Sequence, residues 1–252
     1  MSLLVTVDVE GNQHSRDYSS VDLLNSLVAE LEIKMTMFVT PRVAEEKTEV
    51  VKAWLRDGHA VGLHIHPERF NRFDSPWLTE YSQDSIEWML QQGKSVFERE
   101  LGYDPTLFRA GRWEFSDTML RALNREGFER DASLSPVQRD MTRSADRYDG
   151  LFVRHGIEEF PVSVYDNPLL RSMLTPFPIN CIPLDLSTFL KRSAFVPVTY
   201  IITARQLQRK APYTMVVFHD FDLAMETMRD RIRTYLKFIS KQEDASTLKQ
   251  IS

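Results

Sequence analysis

Short apolar runs alternate along the chain with longer segments whose apolar residues return every three or four positions, the pattern of strands joined by helical crossovers. Leu3-Leu4-Val5-Thr6-Val7 reads as a first strand. Val21, Leu24, Val28 and Leu31 then fall at helical spacing behind Ser19-Ser20 as caps, and Met35-Thr36-Met37-Phe38-Val39-Thr40 follows as a second, buried strand. Val43, Val51, Trp54 and Leu55 mark the next helix, Gly58 stops it, and Ala60-Val61-Gly62-Leu63 makes a third strand. From Ser85 to Leu101 one helical face carries Ile86, Met89, Leu90, Phe97 and Leu101, and Thr106-Leu107-Phe108-Arg109 is the strand beyond it. Ser116 caps a helix through Met119, Leu120 and Leu123, Gly127 stops it, and Phe128 to Ser135 is a short strand.

Between Tyr165 and Pro197 this rhythm fails. Pro168, Pro176, Pro178, Pro183 and Pro197 crowd into the stretch, which predicts an excursion over one face, either a substrate lid or a packing loop. The alternation resumes with Tyr213 to Phe218, a strand ending in His219-Asp220, and with a terminal helix through Met225, Met228, Ile232, Leu236 and Ile239. The expected organisation is therefore one α/β domain over residues 1–252, with an excursion at 165–197 and a frayed, polar tail over 241–252.

Bulk composition supports one large domain: 252 residues, 42% of them hydrophobic, can bury a sizeable core. A net charge of −5 without a long block of Lys or Arg argues against nucleic acid as a partner. Cys181 is the only cysteine, so there is no intramolecular disulfide, and a reducing compartment is expected. No apolar stretch approaches the ~18 residues of a membrane span, and the chain enters its first strand by Leu3 without a leader pattern, so the expected location is cytoplasmic. The oligomeric state leaves no mark in the sequence.

The candidate chemistry lies where strands stop. Asp8 and Glu10 are one residue apart, so they project from one face of the first strand's end, and Gly11 turns the chain immediately after. The third strand runs into His64-Ile65-His66-Pro67-Glu68, a second cluster of metal-ligating residue types. Parallel strands closed by crossovers bring their carboxyl ends to one rim, so the two clusters together predict a metal hydrolase.

Five segments carry a family resemblance: Thr6-Val7-Asp8-Val9-Glu10-Gly11, Val61-Gly62-Leu63-His64-Ile65-His66, Phe108-Arg109-Ala110-Gly111-Arg112-Trp113, Glu159-Phe160-Pro161-Val162-Ser163 and Val216-Val217-Phe218-His219-Asp220. In order and spacing they resemble the polysaccharide deacetylases, the nodulation-type chitooligosaccharide deacetylase superfamily or carbohydrate esterase family four, from Leu3 to about Leu223. The resemblance implies a distorted (β/α)7-type barrel, a divalent metal with zinc foremost, and hydrolysis of an N-acetyl group on a carbohydrate substrate. It also implies roles: Asp8 as general base, Glu10 as metal carboxylate, His64 as metal ligand, Arg109 as the guanidinium that keeps Asp8 ionised, and His219 as general acid. Asp131 is the expected acidic residue that orients His219 or Arg109, with Asp220 and Glu159 as alternatives.

The chain departs from the family pattern in two places. The second motif has histidines at i and i+4, but position 68 is Glu68, so either His66 or Glu68 completes the ligand set. The third motif, Arg-x-Pro-Tyr in the family, is Arg109-Ala110-Gly111-Arg112 here, followed by Trp113. Arg112 and Trp113 are the expected substrate contacts, with Arg69 a second candidate for an anionic group and Phe70, Phe73 and Trp77 either sugar platforms or packing. The expected activity is N-deacetylation of a surface polysaccharide or an intermediate of its assembly, including the O-antigen of lipopolysaccharide. The alternatives are an inactive carbohydrate-binding homologue and a hydrolase of small cyclic ureides or imides.

Overall fold

Strands that are apolar without alternation belong in a sheet covered on both faces, and the computed structural model of the protein places them there. It describes residues 2–12, 15–135, 151–165, 182–193, 196–208, 212–242 and 245–251. In chain order the strands are β1 (Ser2–Val9), β2 (Thr36–Val39), β3 (Ala60–Ile65), β4 (Leu107–Ala110), β5 (Arg130–Asp131), β6 (Phe152–Arg154), β7 (Ile157–Glu159), β8 (Val164–Tyr165), β9 (Ile182–Pro183), β10 (Tyr213–His219) and β11 (Ala245–Ser246). The helices are α1 (Ser19–Leu31), α2 (Pro41–Glu46), α3 (Thr48–Arg56), α4 (Gln83–Leu101), α5 (Asp117–Arg125), α6 (Leu186–Phe189), α7 (Val196–Leu207) and α8 (Glu226–Ile239).

The main sheet runs β10-β1-β2-β3-β4-β5-β7-β6 and is parallel throughout except for the β6–β7 hairpin. Among the described residues its outer strands β6 and β10 do not pair with each other, so the expected barrel is a curled half-barrel, open on one side. Side chains divide by strand parity. Leu3, Val5, Val7 and Val9 join the helix-side core, whereas Leu4 packs with Phe38, Leu107, Met215 and Val217 on the inner face. Thr6 and Asp8 share the parity of Leu4, so the candidate chemistry starts on the inner side.

Two of the longer helices follow local capping rules, and one expected cap does not form. Ser82 and Ser116 cap α4 and α5 by accepting from the N–H groups of Ser85 and Met119, and Gly102 closes α4 in the left-handed conformation. Ser19 and Ser20, expected as caps, lie inside the first turn of α1, and Ser20 serves the site instead.

The expected frayed tail is also corrected. β11 pairs in parallel with Leu3 and Leu4 of β1, on the edge that β2 leaves open because it joins β1 only from Thr6 onward. Leu248 and Ile251 are buried in the inner core, and the N–H of Leu248 donates to Thr36 Oγ1 at 3.0 Å. Of the excursion at 165–197, Pro168, Pro176, Pro178 and Cys181 lie outside the described residues. What is described of it includes the short β8–β9 pair and α6, which the bridge between Asp185 and Val217 lays alongside β10. No helix among the described residues is long and apolar enough to cross a membrane.

Candidate active site

β1, β3, β4 and β10 all stop at one rim, and their registers bring distant residues into line. Asp8 is level with His219 on one side and Phe38 on the other, and His64 is level with Arg109. Asp8 and Arg109 are buried together, with Arg109 Nη1 donating to Asp8 Oδ1 at 2.7 Å. Further groups hold the guanidinium: Nε donates to the carbonyl of Ala132, Nη2 donates to Thr6 Oγ1, and Cζ lies 4.2 Å from the centre of the Phe38 ring. Burial works against an ionised Asp8, but the charges of Arg109, His64 and His219 outweigh it and hold the carboxyl below its ordinary range.

Glu10 lies just past β1, where a buried acid of β10's end fixes the backbone. Asp220 Oδ1 accepts from the N–H of Glu10 at 2.8 Å, and Asp220 Oδ2 accepts from the N–H of Gly11 at 3.0 Å and from Ser20 Oγ at 2.6 Å. Gly11 has φ +62°, and a Cβ there would fall 2.4 Å from the ring of Tyr18, so this turn requires glycine. Asp220 thus secures the β1 turn and does not orient His219 as expected.

Glu10, His64 and His66 converge. His64 Nε2 and His66 Nε2 are 3.1 Å apart and lie 3.5 and 3.3 Å from Glu10 Oε1. A tetrahedral ion with bonds of ~2.0–2.1 Å to nitrogen and oxygen has donors roughly 3.3 Å apart, so the three atoms are spaced as ligands of one small divalent cation. Nδ1 of His64 donates to the carbonyl of Arg109 at 2.8 Å, which turns the Nε2 lone pair toward Glu10. Glu10 is held well below the usual carboxylate range, because the two imidazoles outweigh the penalty of its burial. Glu68, the other candidate ligand, is behind His66: its Oε1 is 3.6 Å from His66 Nδ1 and 2.7 Å from Arg112 Nη1. The converging group therefore contains His66 and not Glu68.

His219 faces Asp8 from β10, with its Nε2 3.7 Å from Asp8 Oδ2. Its Nδ1 donates at 3.0 Å to Ser187 Oγ, which donates in turn to Asp222; Asp222 also accepts from the His219 N–H at 3.1 Å. Phe221 stacks on the imidazole at 4.7 Å between ring centres. Ser187 and Asp222 were not anticipated. Asp222 stands three residues past His219, a spacing that a turn after the strand makes short-range, whereas Ser187 arrives from the excursion and has no sequence signal.

Asp131 does not orient either predicted partner. Its register position is beside Phe108, one residue out of phase with Arg109, and its Oδ1 accepts from the backbone and hydroxyl of Ser133. Its neighbour across the ladder is Glu159, whose Oε1 accepts from the N–H of Leu134 at 3.0 Å. Both carboxyls are fully buried, and burial pushes Asp131 up to about 6 and Glu159 well above the usual range.

The predicted substrate contacts divide. Arg112 is engaged by Glu68 and approaches His66 Nδ1 to 3.2 Å, and Trp113 is half-buried under Arg109, whose guanidinium lies 4.9 Å from its ring centre. Phe70 and Phe73 pack edge-on against Trp88, so packing is what they do; Trp77 is exposed, with Arg112 5.8 Å above its ring. Arg69, the second candidate for an anionic group, lies in the 3-10 turn that follows His66.

Residues 13–130 match the family model described as polysaccharide deacetylase. Solved structures with the same fold include a Mycobacterium smegmatis protein provisionally described as a polysaccharide deacetylase, at TM-score 0.68 and 17% identity over 99% of this chain and 88% of that one. A family 4 carbohydrate esterase from Streptomyces lividans, solved with acetate, matches at TM-score 0.58 and 13% identity over 98% of this chain and 92% of that one. A carbohydrate esterase family 4 pseudoenzyme from Bacillus anthracis matches at TM-score 0.58 and 13% identity over 99% of this chain and 64% of that one. No curated protein matches the sequence.

Proposed function

We propose, from the match of residues 13–130 to the polysaccharide deacetylase family model and from the fold shared with solved deacetylases, that this chain is a metal-dependent hydrolase that removes an N-acetyl group from an amino sugar. The observation that carries this reading is the convergence of Asp8, Arg109 and His219 beside the Glu10–His64–His66 group. An amide is a weak electrophile and water a weak nucleophile. A bound divalent cation, zinc foremost, supplies a water of pKa lowered toward ~7 and polarises the acyl oxygen.

The chain's own residues do the rest. Asp8, kept ionised by Arg109, takes a proton from the attacking water as it adds to the acyl carbon. His219, with Nδ1–H committed to Ser187, has Nε2 as the atom that carries the transferable proton. That proton goes to the sugar nitrogen as the C–N bond breaks, giving acetate and a free amine. The proposed substrate is a surface polysaccharide or an intermediate of its assembly, with the O-antigen as one case.

Acetate release from N-acetylated oligosaccharides, lipid-linked and nucleotide-linked amino sugars tests this in zinc-supplemented protein. Release that falls by about 10²–10⁴-fold in Asp8→Asn supports the enzyme. No bound metal and no acetate from any of these substrates would favour the inactive, carbohydrate-binding alternative; a pseudoenzyme is known on the same fold. Turnover of small cyclic ureides or imides in preference to sugars would move the assignment to that class.

A further inference from the structure

We infer that Gly111 and Glu68 are positioning residues that bring His66 into the cation site; the inference rests on the ligand reading of Glu10, His64 and His66 given above. His66 lies two residues past His64 on an extended strand, so it shares that face but leaves the β3 ladder, and something outside the strand must aim its ring. Gly111 is the floor. A Cβ at position 111 would fall 2.5 Å from both Cε1 and Nδ1 of His66 and 2.8 Å from Cγ, so any side chain there displaces the imidazole.

Glu68 is the back wall. A histidine ligates through a lone pair, so with Nε2 directed at Glu10 and His64 the ring hydrogen belongs on Nδ1. Glu68 Oε1 lies 3.6 Å from that Nδ1. Arg112, 2.7 Å from the same oxygen and 3.2 Å from Nδ1, is a donor only; it anchors the carboxylate behind the ring, where the charge of Glu68, rather than a direct hydrogen bond, backs the Nδ1 side. The second oxygen of Glu68 is buried without a hydrogen-bond partner, which is the cost of holding a carboxylate in this place. Seen this way, the two departures from the family pattern, Glu68 where a histidine is usual and Gly111 where a proline is usual, are one structural change.

The test measures zinc affinity of the full chain by competition with a chromophoric chelator, together with the visible spectrum of the cobalt(II)-loaded protein, for wild type, Glu68→Gln, Glu68→Asp and Gly111→Ala. Thermal unfolding confirms that each variant is folded. Glu68→Gln is expected to weaken zinc by about 10–100-fold, with partial recovery in Glu68→Asp. Gly111→Ala is expected to lose at least as much and to change the cobalt absorption envelope, because the ring is pushed off its line. Wild-type affinity and an unchanged cobalt spectrum in Glu68→Gln and Gly111→Ala alike would overturn this inference alone. A wild-type protein that takes up no zinc would overturn the ligand reading as well.

Discussion

Two buried acidic groups on neighbouring parts of one sheet behave in opposite ways. Asp8, at the end of β1, is held below its ordinary range, whereas Asp131 and Glu159, paired across β5 and β7, are pushed above theirs. Burial is the largest influence on all three and always favours the protonated form. What separates them is contact with a cation. Arg109 touches Asp8 at 2.7 Å, and His64 and His219 add to it; the carboxyls of Asp131 and Glu159 have backbone N–H groups, a serine and each other. Asp220 shows that neutral donors alone do not reverse the trend, since its hydrogen bonds from Glu10, Gly11 and Ser20 leave it raised. Of these buried carboxyls the molecule keeps Asp8 ionised and uses Asp131, Glu159 and Asp220 as structural acceptors.

Arg109→Met should break the comparison most severely. It removes the cation that keeps Asp8 ionised and takes one hydrogen-bond donor each from Thr6 Oγ1 and the Ala132 carbonyl in the same stroke. Unpairing a buried ion pair costs about 3–5 kcal/mol, which denaturant unfolding at neutral pH reads directly. Acetate release should fall by orders of magnitude, and whatever activity remains should require a higher pH, because Asp8 without its partner follows burial and protonates. The linkage has a definite sign: with its folded pKa depressed below 3.8, wild-type Asp8 contributes stability that is present above that pH and lost as pH falls through the folded value. The variant should lack that acid limb. Unchanged stability and an unchanged acid limb would mean that the pair is not what holds Asp8 ionised.

Asp220→Asn ranks second. The amide keeps one acceptor oxygen but turns an NH₂ toward the N–H of Gly11 or the hydroxyl of Ser20, a buried donor facing a donor. A loss of about 1–3 kcal/mol is expected. Because Asp220 holds the Glu10–Gly11 turn, zinc affinity should weaken alongside stability, and the ratio of the two losses separates positioning of Glu10 from general damage.

The strands that bear Asp8, His64, Arg109 and His219 were legible because each ends an apolar run, and parity then puts their side chains on one face. The groups that secure them were not. Asp220 binds the turn after β1 from 210 residues away in sequence, and such a contact leaves no periodic trace. Ser187 is one of several hydroxyls in the proline-rich excursion, and nothing in the sequence singles it out. Asp131, expected to orient His219 or Arg109, is set beside Phe108 by the strand register, one residue out of phase with Arg109. Likewise, two apolar residues in a polar tail, Leu248 and Ile251, are too few to show a period, although they suffice to dock the chain's end.

The smallest expected effect sharpens the comparison from its other side. Glu159→Gln replaces a carboxyl that the fold keeps protonated with its neutral isostere. The amide oxygen can accept from the N–H of Leu134 as Oε1 does, and the NH₂ can donate to Asp131 Oδ2, which is buried without a hydrogen-bond partner. In wild type the folded state holds protons that the unfolded chain has released, so stability falls as pH rises, for Asp131 between 3.8 and about 6 and for Glu159 from 4.5 upward. The substitution removes the Glu159 part of that slope. Glu159 acts on Asp131 as a hydrogen-bond partner that lowers it, a role the amide NH₂ takes over, so the two proteins should be about equally stable near pH 4, and the variant more stable by about 1 kcal/mol at neutral pH. Urea unfolding at a series of pH values measures both ends. A variant destabilised at neutral pH would mean that Glu159 is ionised where it stands, and that contact with a cation is not what distinguishes the two regions.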